Sequence, residues 1–104
     1  MTELDFKNLI TNKIIHERAR LLILSYLVGS DTGQATFMEL QKAMELTRGN
    51  LSIQLKTLQK AEYVRITKKF KDNKPRTTVH VTETGRMAIG QYLKEVEQVL
   101  QNLK

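Results

Sequence analysis

The segment at positions 36–62, TFMELQKAMELTRGNLSIQLKTLQKAE, contains the start signals of two helices. Thr36 is followed three residues later by Glu39, and this capping box predicts the start of a short helix. Thr47 is a suitable N-cap for a second helix that continues through Ala61. Apolar residues recur at spacings of three and four, as on a buried helix face: Phe37, Leu40 and Met44 in the first helix, then Leu51, Leu55 and Leu58 in the second. Two short helices joined by a tight turn predict a helix-turn-helix over about residues 36–62.

The residues after this motif alternate between apolar and polar side chains, which predicts two strands. The first strand covers Tyr63 to Lys71 and the second Thr77 to Val81, and the sequence DNKP at positions 72–75 predicts the turn between them. The inward-facing residues of the pair would be Val64, Ile66, Phe70, Val79 and Val81. The pattern therefore predicts a two-stranded hairpin, termed the wing below, over about residues 63–82.

Two longer helices are predicted on either side of these elements. Apolar residues at helical spacing from Lys13 to Val28 predict a helix of about four turns. Thr82 is a suitable N-cap for the last helix, with Glu83 in its first turn. The apolar stripe of this last helix extends over about 21 residues, or roughly 31 Å, which is longer than the core of such a small chain requires.

Both ends of the chain are therefore more apolar than one small core needs. This excess predicts that residues 1–15 and 83–104 pack together and against a second copy in a symmetric homodimer. The predicted interface residues are Leu4, Leu9, Ile89, Leu93, Val96, Leu100 and Leu103. The alternative is a monomer whose last helix folds back over its own hairpin.

The positive charge of the chain is concentrated in one third of its length. The 104 residues carry 17 Lys and Arg against 11 Asp and Glu, a net charge of +6. Residues 47–82 carry nine basic and two acidic side chains, or +7, and the remainder carries eight basic and nine acidic side chains, or −1. Such a cluster is typical of a surface that binds a polyanion, because Lys and Arg that neutralise phosphates release condensed counterions. A solvated basic face is the alternative.

The predicted second helix of the helix-turn-helix presents polar groups suited to a DNA major groove on the side opposite its leucines. Asn and Gln can pair with adenine, Arg and Lys with guanine, and an apolar side chain can contact the thymine methyl group. The predicted DNA-binding residues on this helix are Arg48, Asn50, Ser52, Ile53, Gln54, Lys56 and Thr57. Those on the wing, which would contact phosphates or the minor groove, are Lys68, Lys69, Lys71, Lys74 and Arg76.

Several other classes of protein are disfavoured by the composition. A chain of 104 residues with 40% hydrophobic and 27% charged residues is typical of one globular domain. Without cysteine, and with two histidines, the chain offers no thiolate metal site and no constellation typical of an enzyme, so we expect neither catalysis nor a cofactor. No stretch is apolar and long enough to span a bilayer, and we expect a cytoplasmic protein.

Four sequence motifs resemble those of a known family. The stretch LSIQLKTLQKAEYV at positions 51–64 resembles the LSxHLxxLxxAGYV signature of winged-helix transcriptional regulators of the MarR/ArsR-like superfamily. The small stand-alone members also share a GNLS start, a KPRTT wing and a TxxGR opening of the last helix, which correspond here to positions 49–52, 74–78 and 82–86. Together with RLLIL at positions 20–24, the resemblance covers about residues 13–100. Gln54 and Glu62 depart from the His and Gly of the pattern, and the absence of Cys disfavours the metal sensing found among relatives.

The resemblance implies an α+β, mostly helical chain with a winged helix-turn-helix, a two-stranded wing and a long C-terminal dimerisation helix. It also implies a homodimer that places its recognition helix in the major groove of double-stranded DNA. We therefore expect a sequence-specific transcriptional regulator, with no small-molecule effector indicated by the residues. The alternative is a winged-helix module that binds protein and not DNA. RNA is disfavoured because the deep, narrow groove of an A-form duplex excludes a reading helix.

Overall fold

The structure, a computed structural model, describes residues 9–103, so the predicted interface residue Leu4 lies outside the described part. The described part contains four helices and a three-stranded antiparallel sheet, which confirms the α+β winged helix-turn-helix predicted from the sequence. In chain order the elements are α1 (Arg18–Gly29), β1 (Gln34–Thr36), α2 (Phe37–Met44), α3 (Arg48–Lys60), β2 (Val64–Lys71), β3 (Lys74–Val81) and α4 (Glu83–Gln101).

The helix-turn-helix is formed by α2 and α3, as predicted. The Thr36 hydroxyl accepts from the Glu39 backbone N–H at 3.0 Å, and the Glu39 carboxylate accepts in return from the Thr36 N–H, so the capping box is complete. Glu45 ends α2 in the left-handed conformation, with φ of 53°, and the chain then turns into α3. The Thr47 hydroxyl caps α3 by accepting from the Asn50 N–H at 3.1 Å.

One hydrophobic core lies between the helices and the sheet. Three leucines of α3 belong to it, and α1, α2, α4 and the three strands contribute most of the other buried residues. The fully buried side chains are Ile15, Ile23, Leu24, Leu27, Leu40, Leu51, Leu58 and Val79. The leucine stripe predicted for α3 is therefore confirmed, and its opposite face remains available at the surface.

The sheet has one strand more than predicted. Strand β1 pairs antiparallel with β3, giving the order β1-β3-β2. At three residues, β1 is too short to show a period in the sequence, and its partners lie more than forty positions away in the chain.

The second strand of the wing is longer, and the turn tighter, than predicted. The predicted four-residue turn was wrong: Lys74 and Pro75 already belong to β3, and Asp72 and Asn73 alone form the turn. Both turn residues have positive φ, 53° and 63°, as in the two-residue turns whose twist matches a hairpin. Pro75 is tolerated because β1 pairs no further along β3 than Thr78, so this part of β3 is hydrogen-bonded to β2 alone.

The prediction that Phe70 faces the core was wrong. Phe70 lies on the same face of β2 as Val64 and Ile66, yet its side chain is 79% exposed, because the outer half of the wing extends beyond the core. The alternating pattern assigned Phe70 to the correct face of β2, but whether its side chain is buried depends on how far the core extends along the strand.

The first helix begins five residues later than predicted, at Arg18 and not at Lys13. Asn12 accepts at its side-chain oxygen from the N–H groups of Ile14 and Ile15, both at 3.0 Å, which holds these residues in a turn. The Glu17 carboxylate then caps α1 by accepting from the next free N–H groups, at 3.1 and 3.0 Å. Competing side-chain bonds to the backbone therefore replace the first predicted helical turn.

Burial raises the pKa of the Glu17 carboxyl, but the two backbone N–H bonds and the neighbouring Arg20 and Arg18 outweigh it and hold the pKa below its usual range. Ionised Glu17 therefore stabilises the fold above its unfolded pKa of about 4.3, and this stabilisation is lost as pH falls through the lower folded pKa. We expect Glu17→Gln to lower the free energy of unfolding at neutral pH by about 1 kcal/mol, and less at acid pH. Urea unfolding of both proteins across this range measures the difference. Glu97→Gln, at an exposed site on α4, is the control, and a pH-independent difference would contradict the capping role of the charge.

The last helix starts against the junction of α3 and β2. The Thr82 hydroxyl caps α4 by accepting from the Gly85 N–H at 3.0 Å, and it donates to the Glu62 carbonyl at 2.6 Å. Gly85 is buried beside the Tyr63 carbonyl, where a Cβ atom would overlap the backbone. The Gly of the TxxGR motif is therefore required by close backbone contact.

Beyond its first turns, α4 is fastened to the segment before α1. The Thr11 backbone N–H donates to the Glu95 carboxylate at 3.0 Å, and the His16 ring nitrogen Nδ1 lies 2.9 Å from the Tyr92 hydroxyl. Ile89 is buried at 4% exposure within the core of its own chain, which leaves it little surface to offer a second copy. Leu93, Leu100 and Leu103 remain more than half exposed. Among residues 9–103, no helix is long and apolar enough to cross a membrane.

Candidate nucleic-acid interface

The side of α3 opposite its leucines carries the residues that the sequence predicts to bind DNA. Ile53, opposite the buried leucines, is 62% exposed. Arg48, Asn50 and Lys56 are also exposed, whereas Ser52, Gln54 and Thr57 are partly buried at the flanks of the helix. A protruding helix with an exposed apolar residue between polar neighbours can present all of them to one flat or concave partner.

An open groove lies between this helix and the wing. Its basic lining residues are Arg48 and Lys56 of α3 and Lys68, Lys71, Lys74 and Arg76 of the wing, and Asp72 is the acid among the described lining residues. Basic residues of α3 and of the wing that are 12 to 28 positions apart in the chain are thus brought to one surface. The groove concentrates positive potential, which attracts a polyanion and favours phosphate groups along its walls.

Arg48, a lining residue of this groove, lies over an aromatic ring. Its guanidinium carbon lies 5.9 Å from the centre of the Phe37 ring, a cation–π distance. Phe37 was predicted as a core residue of α2, but it is partly exposed and also lines the groove. It contacts both Arg48 and the core.

The wing places like charges opposite each other. Lys69 faces Arg76, and Lys71 faces Lys74, in the register of β2 and β3. Like charges directly opposite in an antiparallel pair destabilise the hairpin, and a bound anion between them would remove that cost. Lys69 is exposed but is not among the lining residues of the groove.

His80 lies near this charge without adding to it at neutral pH. Burial, followed by the positive charges of Arg65 and Lys69, lowers the pKa of the His80 imidazole below its usual range. One ring nitrogen lies 3.0 Å from the Thr67 hydroxyl on the neighbouring strand. The contact joins the two strands of the wing near its base.

The structure separates the residues predicted on α3 into two groups. Arg48, Ser52 and Lys56 line the groove beside the wing. The others, which do not line it, are Asn50, Ile53, Gln54 and Thr57. Because residues three and four apart share a helix face, these four form a second stripe directed away from the wing.

A residue missed by the sequence reasoning supports this second stripe. Arg20 of α1 donates from Nη1 to the Gln54 side-chain oxygen at 2.8 Å, and Gln54 donates from Nε2 to the Asn50 side-chain oxygen at 3.1 Å. The side chain of Arg20 is only 18% exposed. The sequence does contain a signal for this residue: Arg20 lies in the apolar stretch that begins at Ala19, and a charged side chain is unusual on a helix that packs in a core.

Comparison with known proteins gives one family and several similar folds. The family described as "Winged helix DNA-binding domain" matches residues 19–100 of this chain. An uncharacterized protein of Methanocaldococcus jannaschii is 30% identical over 92 residues, which cover 88% of this chain and 98% of that protein.

Among solved structures, a transcriptional regulator homologue from Pyrococcus horikoshii OT3 is similar with a TM-score of 0.87 and 28% identity, over 97% of this chain and 98% of that one. A MarR family transcriptional regulator from Streptomyces coelicolor, solved in complex with DNA, has a TM-score of 0.66 at 21% identity, over 82% of this chain and 55% of that one. At that identity the second likeness concerns the fold alone.

Proposed function

The chain belongs to the winged helix DNA-binding domain family, and on that premise we propose that it is a transcriptional regulator that binds specific sequences of double-stranded DNA as a homodimer. The observation that carries this proposal is the groove between α3 and the wing, in which six basic residues and one acidic residue line a single surface. A polyanion with a regular groove is the partner that such a surface fits best.

In the proposed complex, α3 enters the major groove and the wing follows the adjacent backbone. Ile53, Asn50 and Thr57 would face base edges, because they lie on or beside the most exposed part of α3. Lys56 and the basic residues of the wing would contact phosphates, which fix the position of the protein without reading sequence. This division makes separate predictions for affinity and for specificity.

The proposed dimer rests on the exposed apolar residues of α4. Leu93 and Leu100, seven positions apart, lie on one face of the helix, and the exposed Leu103 follows two residues after its end. A second copy of the same helix can cover this face in a self-complementary contact. Two recognition helices related by such symmetry would bind half-sites about one helical turn, or roughly 34 Å, apart.

Selection of random duplexes on the purified protein tests the proposal. We expect enrichment of a pseudo-palindromic sequence, since a symmetric dimer presents two copies of α3. The selected duplex should bind at least about a thousandfold more tightly than random DNA at the same salt concentration. Unenriched sequences and equal affinities for all duplexes would contradict sequence-specific regulation.

Leu93→Glu combined with Leu100→Glu is expected to convert the dimer into a folded monomer. Each substitution places a charge in the proposed interface, where desolvation is costly, but at an exposed site of the single chain. Light scattering coupled to size exclusion measures the mass, and affinity for the palindromic site should fall towards that for a half-site.

Met87→Glu is the matched control, because Met87 is 68% exposed on the same helix but lies six positions before Leu93, on a different side of that helix. It should leave the mass unchanged. A wild-type protein that is monomeric at all concentrations tested would overturn the dimer.

A further inference from the structure

A chain of hydrogen bonds connects α1 to the second stripe of α3. Arg20 Nη1 lies 2.8 Å from Gln54 Oε1, and Gln54 Nε2 lies 3.1 Å from Asn50 Oδ1. Arg20 is partly buried, Gln54 is partly buried, and Asn50 is exposed on the surface of α3. These hydrogen bonds thus connect the edge of the core to the surface where bases would be read.

Arg20 determines which atom donates and which atom accepts in each of these hydrogen bonds. A guanidinium group has donors only, so the Gln54 amide must turn its oxygen towards Arg20. Its nitrogen, which can only donate, then faces Asn50, and the Asn50 amide must turn its own oxygen towards Gln54. The Nδ2 donor of Asn50 is therefore the end turned away from Gln54.

Arg20 is itself held in place on its other side. Its Nε donates to the Ile14 carbonyl at 2.6 Å, and Nη1 lies 3.8 Å from the Glu17 carboxylate. The guanidinium is anchored by a backbone group and a charge, and its side chain is only 18% exposed. Because the guanidinium is anchored, it determines the orientation of the Gln54 amide.

We propose that Arg20 determines base preference without touching DNA, by fixing the amide of Asn50 through Gln54 so that a donor faces the base edge. This inference rests on the proposed DNA-binding function and assigns a positioning residue within it. Gln54 is then a support for the reading residue, and Asn50 is the residue that reads.

The fixed orientation predicts which bases Asn50 accepts. A donor directed at the major groove pairs with purine N7 or thymine O4, whereas cytosine presents an amino group there. The Asn50 oxygen retains one free lone pair, so paired contacts to adenine remain open to it. Cytosine is therefore the disfavoured base at the position that Asn50 contacts.

The experiment uses the full chain and the selected duplex. Asn50→Ala first identifies the base pair whose preference it removes, and affinities are then measured for duplexes with each of the four bases at that position. Arg20→Ala and Gln54→Ala should each reduce discrimination against cytosine there by about fivefold or more, because the Asn50 amide is then free to turn round. The double variant should lose no more than either single variant, since both act through one chain of bonds.

Arg18→Ala is the matched control, because it removes the same charge from the first turn of the same helix at an exposed site. It should weaken binding to all four duplexes equally, if at all. Circular dichroism and thermal unfolding show whether each variant is folded before its affinities are compared.

Gln54→Glu provides a second test, which remains informative if Arg20→Ala destabilises the protein. The new carboxylate retains the bond to Arg20 as an ion pair but has no donor for Asn50, so the Asn50 amide is expected to turn its nitrogen towards that carboxylate and its oxygen outwards. The preference at this base pair should then reverse in favour of cytosine, while overall affinity falls because of the added negative charge. A merely structural role of Gln54 would not reverse a base preference.

The inference is overturned if wild-type discrimination is kept in Arg20→Ala and Gln54→Glu, or if the losses in the double variant add. It is also overturned, together with the proposed function, if the wild-type protein shows no base preference at any position. These two results are distinguishable, because the first requires a wild-type protein that does read sequence.

Discussion

Replacement of Lys68, Lys69, Lys71 and Lys74 by alanine is expected to weaken binding to duplex DNA about a thousandfold at roughly 0.15 M salt. Each lysine that neutralises a phosphate releases condensed counterions, and the slope of log affinity against log salt falls by about 0.9 for each phosphate that is no longer neutralised. The slope should therefore become shallower by up to about 3.6, and the two proteins should converge near 1 M salt.

The substituted protein should remain folded. All four side chains are exposed on the outer part of the wing, where charges contribute little to stability. The substitutions also relieve the repulsion across the hairpin between Lys69 and Arg76 and between Lys71 and Lys74. The free energy of unfolding is thus expected to change by less than about 1 kcal/mol.

A control with the same change of net charge separates location from total charge. The control variant replaces four basic residues outside α3 and the wing: Lys13, Arg18, Lys42 and Lys94. If the wing binds phosphates, the control should keep most of the affinity and nearly the full salt slope. Equal reductions of affinity in both variants would show that net charge alone attracts DNA, and would contradict the proposed interface.

Gly85→Ala is expected to lower the free energy of unfolding by about 2 kcal/mol or more, and Tm by about 10 °C. The added Cβ would overlap the carbonyl group of Tyr63, and backbone atoms cannot move aside as a flexible side chain can. Tyr63 also accepts at this carbonyl from the Thr82 N–H at 3.0 Å, so the displacement would disturb the start of α4. Thermal and urea unfolding measure the change in stability.

Gly90→Ala is the matched control on the same helix. Apart from the adjacent residues and the backbone of α4 itself, no atom would lie within 4 Å of a Cβ atom at Gly90, which is exposed in the middle of α4. Alanine costs less conformational entropy than glycine in a helix, so this variant should gain about 0.5 to 1 kcal/mol. Similar changes in both variants would show that helix propensity, and not the contact with Tyr63, governs the site.

Features carried by neighbouring residues were predictable from the sequence. The capping box of Thr36 and Glu39, the cap of Thr47 and the leucine stripe of α3 are each specified within one or two helical turns, and all three are present. The excess of positive charge between residues 47 and 82 is a property of composition and needs no fold. The helix-turn-helix and the start of α3 therefore followed from local physical chemistry.

The incorrect predictions have one cause, which is that the apolar pattern of a segment does not show the contacts its residues make in the folded protein. The side-chain bonds of Asn12 and Glu17 displaced the start of α1, although the apolar period continued through this segment. Alternation assigned Phe70 to the inner face, but no pattern within the strand shows where the core ends. Strand β1 forms only because β3 offers a paired edge far along the chain.

The sequence by itself determined the kinds of elements, their order and the location of the charge, because periodicity, capping and composition act within a few residues. Only the tertiary structure placed the wing against α3 as one basic groove, put Gly85 beside the Tyr63 carbonyl, and joined Arg20 to Gln54 across 34 positions. Contacts between distant residues depend on how helices and strands pack, and packing is a property of the whole core. The fold class was thus encoded locally, whereas the proposed reading of bases depends on an arginine that tertiary packing brought to α3.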